Sequence, residues 1–156
     1  MYLHIYGLPV NSLPEKPNEC VCNVMRRAAR SLTNAYDKAL APSGLRVTQF
    51  SMLTAISRLS VASVTQLSEL LGLDQTTATR NLMLLEDAGF IERVAHHDPR
   101  VKLLKVTDKG KKKLIAATAC WREMQEQIKS ALSQQEWTNF RDTLGKIEGL
   151  ALLPKA

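Results

Sequence analysis

Apolar residues recur at spacings of three and four from Val21 through Met25, Ala28, Leu32, Ala35 and Ala39, the period of one helix face. That pattern predicts a long amphipathic helix over 19–41, stopped by Pro42 and Gly44. A shorter helix is expected over 49–59, with Thr48 as its N-cap and Phe50, Leu53 and Ile56 turned inward. Ser63 and Gln66 form an S-x-x-Q capping box that opens a third helix ending near Leu71. Gly72 and Leu73 turn the chain, and Asp74 caps a fourth helix from Gln75 to about Ala88, broken by Gly89. Two short strands follow over 90–94 and 101–106, joined by the polar loop Ala95-His96-His97-Asp98-Pro99-Arg100. Thr107 caps a long helix over 108–132 with Leu114, Trp121, Met124 and Ile128 along one stripe. A last helix opens at a second capping box, Ser133 with Glu136, stapled by Leu132 and Trp137. Its inward stripe is Trp137, Phe140, Leu144 and Ile147. Residues 1–17 hold Pro9, Pro14 and Pro17 without a helical period and read as an irregular arm.

At 156 residues, 45% hydrophobic and 23% charged, the chain can bury a core and does not have the composition of a disordered segment. No apolar run approaches the roughly 20 residues that cross a bilayer, so no membrane partner is expected. The first ten residues lack a basic n-region and a small-residue cleavage site, so the expected compartment is the cytoplasm. Lys and Arg number 21 against 15 Asp and Glu, a net charge of +6 that favours a polyanionic partner. The excess is local: Arg100, Lys102, Lys105, Lys109, Lys111, Lys112 and Lys113 crowd a stretch whose one acid is Asp108.

The order helix, tight turn, helix, strand, polar loop, strand across 63–106 reads as a winged helix-turn-helix. If Ala78, Leu82 and Leu85 form the buried stripe of its second helix, Thr76, Arg80 and Met83 project the opposite way, with Gln75, Thr77 and Thr79 on the flanks. A short polar face of this kind suits a DNA major groove, where Gln, Thr and Arg reach base edges and phosphates. The wing adds Arg100 and Lys102. The fold class is therefore mostly α (α+β), a winged helix-turn-helix flanked by N- and C-terminal helices. An alternative is a winged helix used for protein interaction without sequence-specific DNA binding; the cationic wing argues against it. An enzyme is not expected: His4, His96 and His97 lie in an arm and a loop, away from any spaced nucleophile, and no glycine-rich phosphate loop is present.

The stretch from Ser63 to Arg80, then Leu85-Glu86-Asp87-Ala88-Gly89-Phe90-Ile91-Glu92-Arg93, then His97-Asp98-Pro99-Arg100, then Leu104-Lys105-Val106-Thr107-Asp108-Lys109-Gly110, resembles the MarR-type transcriptional regulators. The resemblance runs from about Cys20 to Leu150, and Asp98-x-Arg100 is its most specific mark. It implies a regulator, expected to repress, that reads double-stranded DNA with Gln75, Thr76, Thr77, Thr79 and Arg80 in the major groove. It places the wing arginine Arg100 in a minor groove, oriented by Asp98, with Lys102 beside it. It also implies an obligate homodimer on a pseudo-palindromic operator. The division is then 18–46 and 108–156 for dimerisation and 47–107 for DNA binding. A lone winged helix needs only about 70 residues, and the remaining helices hold much of the apolar surface.

Such regulators respond to a small ligand or to an oxidant. Cys22, at the start of the first helix and 14 residues before Tyr36, is similar to the hydroperoxide-sensing branch, where a reactive cysteine lies near a tyrosine hydroxyl. A helix N-terminus, with Arg26 or Arg27 nearby, favours a thiolate, and Cys120 is a candidate partner for an intersubunit disulfide. The match departs at Arg26, where that branch has a second tyrosine. The other reading makes Cys20, Cys22 and Cys120 small apolar residues of the dimer interface. Cys20-x-Cys22 is too closely spaced for a zinc site, and no metal or cofactor is implied.

Overall fold

Side chains that can satisfy the unpaired amides of a helix start set most of the helix boundaries. The computed structural model describes residues 20–98 and 102–151. Its elements run α1 (Val21–Leu40), a 3-10 turn (Ala41–Ser43), α2 (Val47–Leu59), β1 (Ala62–Ser63), α3 (Val64–Leu71) and α4 (Gln75–Asp87). Then come β2 (Ile91–Val94), β3 (Leu103–Val106), α5 (Asp108–Ser130) and α6 (Gln134–Ala151). The predicted irregular arm, with His4, lies outside the described residues, as does Val101.

Four predicted caps form; at α6 the Glu136 amide donates to Ser133 Oγ at 3.3 Å and the Ser133 amide donates to Glu136 Oε2 at 2.8 Å. Ser63 Oγ accepts from the Gln66 amide at 3.2 Å while Gln66 Oε1 accepts from the Ser63 amide at 2.9 Å. Asp74 caps α4 through the Thr77 amide at 2.8 Å, and Thr107 caps α5 through the Gly110 amide at 3.0 Å.

The start of α2 differs from expectation. Thr48 is not the cap; the helix begins at Val47 with Arg46 in the N-cap position. Gln49 Oε1 accepts from the Arg46 amide at 2.9 Å, and Asp37 Oδ1, reaching over from α1, accepts from the Val47 amide at 2.8 Å. A carboxylate ten residues upstream does the work that a local threonine was expected to do. The sheet also has a strand the pattern did not predict. β1 pairs antiparallel with β3, which pairs antiparallel with β2, giving the order β1-β3-β2. Ser63 serves both as the end of β1 and as the cap of α3.

The core lies where α2, α3, α4 and the sheet meet. Leu53, Ile56, Leu67, Ala78, Leu82, Leu85, Ile91 and Leu104 are buried there, including the whole predicted inward stripe of α4. It extends toward α5 through Leu40 and Ala117, and Phe50 stacks on Trp121 with ring centroids 5.9 Å apart. The Tyr36 hydroxyl donates to Gln125 Oε1 at 2.6 Å, pinning α1 to α5. No helix among the described residues is long and apolar enough to cross a membrane.

One junction joins the winged region to the long helix. The Thr107 amide donates to the Phe90 carbonyl at 3.0 Å, and the Thr107 hydroxyl donates to the Gly89 carbonyl at 2.7 Å. Gly110 packs so closely on this backbone that an added Cβ would run into the Phe90 carbonyl and lie 2.8 Å from Val106 Cγ1. Gly110→Ala should therefore lower stability by about 1–3 kcal/mol through overpacking, read as a fall in melting temperature; an unchanged melting temperature would show that the junction can open without cost.

Candidate nucleic-acid interface

Burying Ala78, Leu82 and Leu85 turns the opposite side of α4 to solvent, because successive residues rotate by about 100°. Gln75, Thr76, Thr77, Thr79 and Arg80 are all exposed, and Met83, one turn further on, is 55% exposed. Gln75, Thr76, Thr79, Arg80 and Met83 line one shallow groove. Thr77 stands apart from them. Its hydroxyl donates to Asp74 Oδ2 at 2.6 Å and its carbonyl accepts from Asn81 Nδ2 at 2.9 Å, so it belongs to the helix cap. The Thr77 hydroxyl, ahead of its amide, holds the Asp74 carboxyl below the usual carboxylate range.

An ion pair fixes the wing to this helix. Arg93 on β2 donates through Nε to Glu86 Oε1 at 2.7 Å and through Nη2 to Glu86 Oε2 at 3.1 Å, a two-pronged bond from strand to helix. The Arg93 hydrogen bond, with smaller contributions from the charges of Arg93 and Lys102, holds the Glu86 carboxyl below its ordinary range. On the sheet, Glu92 sits opposite Lys105, and their side chains pair at 3.0 Å. Between α4 and the wing lies a pocket of about 400 Å³, whose lining includes Thr79, Leu82, Met83, Glu86, Arg93 and Lys102.

The loop after β2 carries two stacked imidazoles, His96 and His97, with centroids 4.1 Å apart. Asp98 is half-buried and Lys102 is exposed at the foot of β3. Arg100 lies outside the described residues.

The basic run is less available than its sequence suggests. Lys109 Nζ donates to the Ala88 carbonyl at 2.7 Å, closing the C-terminus of α4. Lys109 and Lys113 both lie over the Phe90 ring, 5.3 and 5.4 Å from its centroid. Lys111 pairs with Asp108 at 3.0 Å. Several of these cations brace the domain.

The three cysteines are thiols: Cys20 and Cys22 are exposed and Cys120 is half-buried. Cys22 and Tyr36 do not meet within one chain. They stand 14 residues apart on a single helix, a separation of roughly 21 Å at 1.5 Å per residue. The Tyr36 hydroxyl is instead bonded to Gln125, and burial raises its pKa above the ordinary tyrosine value. Sequence reasoning missed Glu86 and Arg93 as a pair because no local rule links residues seven apart across a helix end and a strand. Met83, which the helical period placed on the outward face, lies there beside Arg80 although it was not among the expected DNA contacts.

Residues 45–101 match the model of the MarR family. The fold is similar to that of the M. tuberculosis transcriptional regulator MosR in complex with DNA. That similarity has a TM-score of 0.74 and 36% identity over 86% of this chain and 99% of that one. A mutant of MarR from E. coli, crystallised with operator DNA, shares the fold at a TM-score of 0.78 with 20% identity, over 86% and 99% of the two chains. The transcriptional regulator PecS of Dickeya dadantii is 26% identical over 132 residues, 82% of this chain and 80% of its own.

The Glu86–Arg93 bond makes a pH prediction. Because the folded carboxyl titrates below its unfolded value, the stabilisation is present at neutral pH and is lost as pH falls through the folded value. Glu86→Gln should melt below the wild type at pH 7, with the gap closing only as pH falls through the folded carboxyl's lowered value. A gap that persists in acid would assign the loss to packing instead.

Proposed function

The chain belongs to the MarR family of transcriptional regulators, and from that premise we propose that it is a homodimeric DNA-binding repressor. The supporting observation is the face of α4, where Gln75, Thr76, Thr79 and Arg80 are exposed together, with the wing anchored beside them by Glu86 and Arg93. In this reading α4 enters the major groove, where Arg80 and Gln75 can bond base edges and the threonines can bond bases or phosphates. Lys102 neutralises phosphate. Arg100 enters the adjacent minor groove, with Asp98 setting its direction. Residues 47–107 make up the DNA-reading domain, and the regulator works in the cytoplasm.

Dimerisation through 18–46 and 108–156 is supported by apolar side chains left in solvent by a single chain. Val21, Met25 and Leu32 of α1, Ile115 of α5, and Phe140 and Leu150 of α6 are exposed, and α6 contains no buried residue. Covering them with a second copy would supply the burial that α6 lacks. Two recognition helices related by a two-fold axis would then meet half-sites about one DNA turn apart.

Two kinds of signal fit the chain. A small effector could occupy the pocket between α4 and the wing, where Arg93 and Lys102 face Glu86 and Asp87, and disturb the angle between the two reading elements. Alternatively, an organic hydroperoxide oxidises Cys22. The thiolate attacks the peroxide oxygen, an alcohol leaves, and the resulting sulfenic acid condenses with the thiol of Cys120 from the other subunit, releasing water. The exposure of Cys22 favours this route. An encounter with the Tyr36 hydroxyl would have to come from the partner subunit.

Fluorescence anisotropy on a duplex selected from a randomised pool tests the reading. Wild type should bind tightly with a steep salt dependence, and Arg100→Ala should lose more than about tenfold in affinity with fold and dimer intact. Equal, weak binding to every sequence would leave an interaction module. Release by hydroperoxide while mass spectrometry finds Cys22 unmodified would exclude the cysteine route. Phe140→Glu should shift the sedimenting species from dimer to monomer, and an unchanged dimer would remove α6 from the interface.

A further inference from the structure

We infer that His96 is a positioning residue of the wing, whose imidazole Nδ1 accepts the hydrogen bond that closes the turn after β2. The inference rests on the DNA-binding reading above. His96 Nδ1 lies 3.1 Å from the Asp98 amide and 3.3 Å from the Asp98 carbonyl oxygen. An unprotonated Nδ1 accepts the amide hydrogen at the shorter distance; a protonated one can only donate to the carbonyl at the longer one. The bond from residue i to the amide of i+2 has the connectivity of an Asx turn, with imidazole nitrogen in place of an amide oxygen. It holds the backbone at Asp98, the residue whose carboxylate is assigned to the wing arginine.

The His97 ring lies against that of His96, with centroids 4.1 Å apart at a 35° tilt. The loop is also exposed on both sides of the turn, at Ala95 and His97, so little packing is available to define its path without a local bond. With Nδ1 accepting from the Asp98 amide, the ring proton belongs on Nε2.

The inference predicts a substitution pattern that a merely space-filling side chain would not produce. His96→Ala removes the acceptor; His96→Asn restores it through its own amide oxygen, because asparagine readily bonds the amide two residues on. At about pH 8, where imidazole is neutral, binding to a duplex selected by the wild type should weaken about fivefold in His96→Ala, the worth of one hydrogen bond. His96→Asn should bind within about twofold of the wild type. Long-range proton–nitrogen NMR correlation on the labelled wild type without DNA should show an unprotonated Nδ1 and a protonated Nε2. Alanine binding as tightly as wild type, asparagine as weak as alanine, or a protonated Nδ1 would each overturn the assignment. If the wild type selects no duplex, the regulator reading fails and takes the DNA effect with it, whereas the tautomer still decides whether the turn is held by His96.

Discussion

The junction between the end of α4 and the start of α5 governs how the parts of this molecule relate. Gly89 turns the chain out of the recognition helix at a φ of +70°, Thr107 ties both its amide and its hydroxyl to the carbonyls of Phe90 and Gly89, and Lys109 closes the Ala88 carbonyl. Gly110 lets the long helix approach that backbone without a side chain between them. The reading helix and the helix assigned to dimerisation are thereby fixed to each other within a few residues. In a two-fold dimer, the spacing of the two recognition helices would be set largely here. A signal acting on α5 or on its partner could reach the DNA face through this clamp.

Charge in the molecule divides into what braces and what reads. Lys109 and Lys113 lie on Phe90, Lys111 pairs with Asp108, Lys105 pairs with Glu92, and Arg93 pairs with Glu86. Exposed pairs of this kind add little stability individually, but the bidentate Arg93 bond restricts the angle between wing and helix. Net positive charge thus overstates the surface available to phosphate. In the proposed reading, base recognition falls to a small set on α4 and in the wing, where short side chains can discriminate bases.

A single chain leaves apolar side chains of α1, α5 and α6 exposed, among them Val21, Leu32, Ile115 and Phe140. Helical propensity alone holds a helix of this length only marginally in water, and the Trp137–Phe140 contact on α6 covers little of its stripe. The winged region has the opposite character, with buried leucines and isoleucines on every inward face. Stability and recognition are thus assigned to different parts of the chain, and the junction described above joins them.

Much of the architecture was legible in the residues. Ser63 with Gln66, Asp74, Thr107 and Ser133 with Glu136 announced four helix starts, because capping is a bond between a side chain and an amide two or three positions away. The stripe Ala78, Leu82, Leu85 and the opposite polar face followed from the helical period alone. Whatever depended on neighbours distant in sequence was decided by tertiary structure. The cap of α2 comes from Asp37 on another helix, β1 exists because its two residues lie beside β3, and Glu86 meets Arg93 only after the chain has turned at Gly89. Thr77, which looked like a reading residue, is drawn into the cap by Asp74, and Cys22 and Tyr36 are held apart by the straightness of the helix they share. Local bonds and periodicity are written in the order of residues; the angles between elements are set by packing, which brings together groups whose spacing in the chain carries no signal.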